Sequence, residues 1–251
     1  MLRLLHSIFP LVLALAAWTF PAHGADPMSR GAALESKRQH REALEVYLEA
    51  DRATPGSAEL LRRIATQYDR ISTSAPKAEK AALLQKALAA AERAIQADPA
   101  NSQAHLCLAV ICGRLAQLES AKRQIELSKR IKEEAEAAVC LDPQNDIAWH
   151  VLARWNFGMA SVNPVLRGLA QAIYGKFPEA SSARAEECFQ KAIAAGPSRV
   201  MHHVEYGLML EQLGRKNDAR KQLETGLSLP AKDLEDEETQ QRARQALDRL
   251  R

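Results

Sequence analysis

His105, His150, His202 and His203, with Cys107, Cys112, Cys140 and Cys188, are the side chains of this sequence with most scope for metal binding, proton transfer or nucleophilic attack. A metal site needs such ligands joined by carboxylates or further thiolates at short, regular offsets. The histidines have no carboxylates at matching offsets, and no Cys-x-x-Cys spacing occurs. Cys107 and Cys112 are five residues apart, which on one helix points them in different directions. All four cysteines sit in apolar helical patterns, where a free thiol packs as a small hydrophobe; Cys107 with Cys140 is the one disulfide pairing worth testing. The chain has no phosphate-cradling Gly-rich loop, no Gly-x-Ser-x-Gly elbow and no His-Glu-x-x-His. No nucleophile and base stand in a recognisable pattern, so the sequence predicts a non-catalytic protein with no cofactor and no metal.

Composition narrows the class further. Thirty-four Lys and Arg oppose 31 Asp and Glu in 251 residues, interleaved along the chain. That balance lacks the basic face a nucleic-acid binder needs. Aromatics make up 5% of the chain, and period-two runs of β-branched residues are almost absent. The expected fold class is all-α. The first residues read differently. Arg3, the apolar run Leu11–Ala17, then Pro21, Ala22 and Gly24 have the layout of a secretory leader cleaved after Gly24. The alternative is an uncleaved anchor helix. With the leader removed, no stable membrane span is expected, and the mature chain 25–251 is expected in the periplasm or secreted.

The helices are organised as repeats. EALEVYLEADRATPGSAEL, AERAIQADPANSQAHLCLA, AEAAVCLDPQNDIAWHVLA and FQKAIAAGPSRVMHHVEYG each run a helix into a Pro-containing turn and on into the next helix. Pro stops the first helix because it lacks the amide donor and clashes with the preceding turn. Asn, Ser or Asp then stands where the next helix needs a cap. Helix–turn–helix at a near-fixed period predicts a solenoid. Gly31, Ala43, Tyr47, Ala50 and Pro55, and later Tyr206, Gly207, Leu213, Gly214, Ala219, Leu223, Gly226 and Pro230, resemble the tetratricopeptide repeat (TPR) pattern. That resemblance implies a helical solenoid of about five helix pairs. Pro55 to Pro99 and Pro99 to Pro143 are each 44 residues and Pro143 to Pro197 is 54, against roughly 34 for an ordinary unit. Second helices longer by about ten residues are therefore expected, with one running unbroken from Leu118 to Leu141. After Pro230, the acidic run Asp233–Glu238 leads into QQRARQALDRL. Acid at a helix start and base at its end complement the helix dipole, so a C-terminal cap is expected over about 233–251.

A narrower resemblance rests on Leu152-Ala153-Arg154-Trp155, on Tyr174-Gly175-Lys176-Phe177-Pro178, and on Phe189-Gln190-Lys191-Ala192. Together with the Leu-Pro before the cap, they are similar to the regulator of microtubule dynamics family over roughly 80–250. That family reads Gly where this chain has Ala153, and a leader stands here where a membrane-tethering member has its organelle anchor. The resemblance implies the helical fold and a groove able to carry lipid.

The insert, about 162–179, is the least polar stretch between repeats. On a helical wheel Val165, Leu166, Leu169, Ala170, Ala172, Ile173 and Phe177 fall within an arc of ~160°, with Arg167 and Gln171 opposite. An amphipathic helix is expected between Trp155 and Cys188–Phe189. Its apolar face either packs the solenoid or lines an acyl cavity, with Arg154 and Arg167 holding an anionic head group. Two functions follow. In the first, a concave groove binds a protein or peptide through Asn101, His105, Asn145, Trp149, Arg154, His202 and His203. In the second, a lipid is carried against Arg154, Arg167, Leu166, Leu169, Ile173 and Phe177.

Overall fold

The computed structural model describes residues 26–174 and 179–251. The leader at 1–24 and Phe177 lie outside the described residues. Within them the chain forms five antiparallel helix pairs, an insert helix and a terminal cap. The pairs are α1 (Pro27–Ser36) with α2 (His40–Ala53), α3 (Ala58–Ser74) with α4 (Lys77–Ala97), α5 (Ser102–Ala116) with α6 (Ala121–Leu141), α7 (Asp146–Ala160) with α9 (Ser182–Ala195), and α10 (Val200–Gln212) with α11 (Lys216–Ser228). The insert is α8 (Pro164–Tyr174) and the cap is α12 (Leu234–Arg249), which packs on α10 and α11. The expected all-α, TPR-like solenoid is the fold found.

The turn grammar works as its residues dictate. Asn101 and Asn145 are N-caps, their side-chain oxygens accepting the amides of Ala104 and Ala148 at 3.0 and 3.1 Å. Asp98 and Asp142 brace the same turns by accepting the amides of Ala100 and Gln144. Both long second helices, α4 and α6, contain 21 residues, against 14 in α2 and α9. The helix expected over Leu118–Leu141 starts later, at Ala121 with Ser120 as its cap. Residues 117–120 are needed to reverse the chain between α5 and its partner, so they form the turn instead.

Small residues set the spacing within pairs. A Cβ on Gly207 would sit 2.8 Å from Leu223 Cγ and 3.2 Å from the Ala219 carbonyl oxygen, where α10 meets α11. Gly207→Ala is expected to lower unfolding free energy by about 1–3 kcal/mol in urea denaturation, the usual cost of overpacking. Gly214 closes the α10–α11 turn at φ +75°, a left-handed conformation open to glycine at little steric cost. Burial is organised around two large clusters. One joins α2 to α6 around Tyr47, Ile64, Leu108 and Leu115; the other runs from Ala109 of α5 and Ala135 of α6 through α7 and α9 to α12, around Phe189, Tyr206, Leu210 and Leu223.

The insert meets one of its two expected neighbours, Trp155, and not the other. α8 lies against α6, and its buried Ala170 joins Ile125, Trp155 and Met159. Cys188 and Phe189 belong instead to the C-terminal cluster, covered by α7 and α10. The extra length of α6 is what supplies a surface for α8. Val165 is 83% exposed and Ala172 is exposed, so the apolar arc is not wholly turned inward.

Candidate functional site

Four first helices, α3, α5, α7 and α10, line a concave groove, Ile131 of α6 joins them, and the start of α12 crosses one side of it. The cavity they enclose measures about 940 Å³. Leu106, Val110, Ile147, Val151 and Met201 give it an apolar floor, while Arg62, Arg70, Arg114, Arg154 and Arg199 stand along it. This geometry follows from the repeat: the first helix of each pair sits inside the curve and the second outside. Each turn of sequence therefore adds one strip of groove.

A chain of polar groups, with two buried histidines at its inner end, backs the floor. Asp146, at the first turn of α7, receives Arg199 Nε at 2.5 Å and His202 Nε2 at 3.1 Å on the same oxygen, Oδ2. His202 Nδ1 lies 3.1 Å from His150 Nδ1. Burial would push the Asp146 carboxyl up, but the hydrogen bonds and charges of Arg199 and His202 outweigh it and hold the group below its ordinary range. Burial pushes His202 down, with the Asp146 contact only partly offsetting it. His150 is driven further down by burial, with His202, Arg154 and Arg199 adding to the effect. Both rings are therefore neutral, and the tautomers follow. His202 donates from Nε2 to the carboxylate and accepts at Nδ1; His150 donates from Nδ1. That leaves His150 Nε2 as a bare acceptor, buried and without a hydrogen bond. Gly196 makes room for this arrangement, since a Cβ there would collide with the Asp146 carboxylate.

The remaining sequence candidates are held by the scaffold. His105, Trp149 and His203 each stand six residues after a repeat proline, and each ring points a nitrogen at that proline's carbonyl: His105 to Pro99 at 3.0 Å, Trp149 to Pro143 at 2.9 Å, His203 to Pro197 at 3.1 Å. They staple the turns between repeats. Glu134 takes the other nitrogen of His105, Gln222 that of His203, and Lys191 stacks over Trp149 at 4.3 Å. Asn101 and Asn145 are spent as caps, and Asn145 also donates to Ser102 Oγ. His202 is fully buried in the polar chain. Of the seven proposed contact residues, Arg154 alone lines the groove, 60% exposed and 3.8 Å from Glu205. Arg167 is exposed on α8, which also carries Leu166, Leu169 and Ile173.

Sequence alone does not single out Asp146 or the arginines of α3 and α5. Asp146 sits one residue past an N-cap, where an acidic side chain normally reads as helix-dipole compensation. Its pairing with His202, 56 residues away, arises only when repeats stack. The four cysteines are free thiols. Burial pushes Cys107 up to about 11 and Cys112 up to about 12, so both are protonated and poor nucleophiles. Among the described residues, no group of three His, Cys, Asp or Glu side chains is placed to hold a metal ion, and no helix is long and apolar enough to cross a membrane.

Known proteins share this architecture. The family model described as regulator of microtubule dynamics protein 1-3 matches residues 29–251. Regulator of microtubule dynamics protein 3 of Xenopus laevis is 28% identical over 207 residues, covering 81% of this chain and 44% of its own. The Mus musculus protein 2 is 25% identical, covering 76% and 46%. The chain thus spans less than half the length of these curated relatives. Among solved structures, a thermophilic TPR protein of Thermus thermophilus superposes with a TM-score of 0.62 at 18% identity, covering 88% of this chain and 97% of its own. The pilF protein of Pseudomonas aeruginosa does so at 0.56 and 14% identity, covering 89% and 90%. At those identities the likeness is one of fold.

Proposed function

We propose that this chain, which belongs to the regulator of microtubule dynamics protein 1-3 family, is a non-catalytic repeat scaffold that holds a protein or peptide segment in its concave groove. The observation that carries this is the groove itself, an apolar floor flanked by arginines. An extended segment offers the two features that match, namely apolar side chains for the floor and carboxylates or carbonyls for the arginines. Export through the N-terminal leader places the scaffold outside the cytoplasm in this reading, where its partner is a protein of the same compartment.

Arg154→Glu tests it. The side chain is mostly exposed and its contact with Glu205 is long, so the fold should be unchanged by circular dichroism. Affinity for a groove-bound peptide should fall by at least about tenfold in fluorescence anisotropy, because a rim cation becomes a like charge beside Glu205. Unchanged affinity for every peptide that binds the intact chain would overturn the groove as the site.

A further inference from the structure

The start of the cap helix meets the early repeats through ions. Glu235, in the first turn of α12, accepts from Arg70 at 3.1 Å and faces Arg114 at 3.6 Å, although 165 residues separate it from Arg70. Arg70 lies on α3 and Arg114 on α5, neither of which packs extensively on α12. Both arginines and the glutamate are partly exposed, at 43%, 34% and 57%. A surface contact of this kind contributes little to stability and opens at low cost.

The charge along the groove is divided unevenly between its walls. The solenoid helices and the turn before α10 contribute five arginines against three carboxylates, Asp69, Asp146 and Glu205. The 232–242 segment contributes four carboxylates, Asp233, Glu235, Asp236 and Glu238, against Lys232 and Arg242. The repeat surface is therefore basic by itself, and the cap segment neutralises it. Asp69 marks the same end of the groove. It is 6% exposed, and Arg114 Nε sits 2.9 Å from its Oδ1 but off the hydrogen-bond line, so that oxygen has no hydrogen bond. Arg114 is shared between a buried carboxylate and an exposed one, and only the exposed one can leave.

We propose that Glu235 is an internal stand-in for the partner: the groove takes an acidic peptide segment whose carboxylates replace Glu235 on Arg70 and Arg114. Displacement of Glu235 opens the side of the groove that the start of α12 crosses, so the segment reaches the apolar floor as the contact breaks. The inference rests on the groove reading above and adds the chemistry of the partner. Glu235 is one of three carboxylates in the first turn of α12, where the helix dipole already favours acid, and it reaches across to Arg70 of the repeats.

The test uses the intact chain and three labelled octapeptides, of glutamate, of lysine and of alternating glycine and serine, followed by fluorescence anisotropy. The glutamate peptide should bind, more weakly as salt rises, and Glu235→Gln should tighten it about three- to fivefold, the size of one exposed ion pair released. Arg70→Gln should weaken it by a similar factor; this variant leaves Arg114 in place to face buried Asp69, so it is expected to fold. Equal binding of all three peptides, or a Glu235→Gln variant no tighter than the parent, would overturn the inference. If the lysine or glycine–serine peptide binds and Arg154→Glu abolishes it while Arg70→Gln does nothing, the acidic partner is wrong and the groove stands. Should the glutamate peptide bind with both Arg70→Gln and Arg154→Glu silent, it sits elsewhere and both readings fall.

Discussion

Phe189→Ala is expected to lower the free energy of unfolding by about 3–5 kcal/mol, the cost of removing a large buried aromatic and leaving a cavity. Phe189 is 1% exposed at the centre of the C-terminal cluster. Its ring stacks on Tyr206 with centroids 5.6 Å apart and meets the edge of His150 at 5.5 Å. Few neighbours are free to close the gap, because Tyr206 is also fixed by its hydroxyl, which donates to Glu186 at 2.5 Å. Urea denaturation should show a lower midpoint at unchanged slope. A loss under about 1 kcal/mol would mean that α7, α9 and α10 do not close around this ring as described. The variant also loosens the packing of His150, whose ring loses its contact with Phe189. The His150 ring should then titrate nearer its ordinary value, visible in its proton resonances.

Asp146→Ala is the second large effect. It removes the acceptor shared by Arg199 and His202, and the fully buried His202 is left with an unpaired N–H at a cost of about 1–3 kcal/mol. The same group of residues gives the parent protein an acid-sensitive stability. His150 and His202 have folded-state values below the ordinary 6.5. As pH falls below that value the unfolded chain takes up protons first, so stability present above it is lost progressively towards the folded values. Asp146, held below its ordinary 3.8, adds a further loss at lower pH, as its carboxylate protonates. The urea midpoint of the parent should therefore drop between about pH 7.5 and about pH 5. In Asp146→Ala, His202 loses the partner that offsets burial, and the drop should steepen. A midpoint flat across that range would contradict the neutral, buried histidine pair.

The helix pairs are legible because their boundaries are written locally. Asp-Pro-x-Asn encodes a braced turn and a cap within four residues, and the small residues at Gly207 and Gly226 mark where helices touch. The proline–ring spacing is legible too, but its meaning is not. His105, Trp149 and His203 resemble groove residues in sequence, and only the structure shows their ring nitrogens turned back to the repeat prolines. What stays hidden in the sequence is what stacking creates. Asp146 meets His202 because one repeat lies on the next, and Glu235 meets Arg70 because the curve of the solenoid brings the start of α12 back to α3. The seat of the insert helix is half hidden for a similar reason: Trp155 on α7 is legible as its neighbour, but Ile125 on the long α6 is not.

The most direct test of the account is a selection of peptides from a random library on the intact chain, followed by mapping of the tightest binder on backbone amide resonances. The groove account predicts shifts at Val110, Val151, Arg154, Met201 and Glu205 on the inner helices, with the outer helices α4 and α11 unperturbed. Shifts confined to those outer helices, or binders indifferent to Arg154→Glu, would show that the concave face is not where this protein meets its partner.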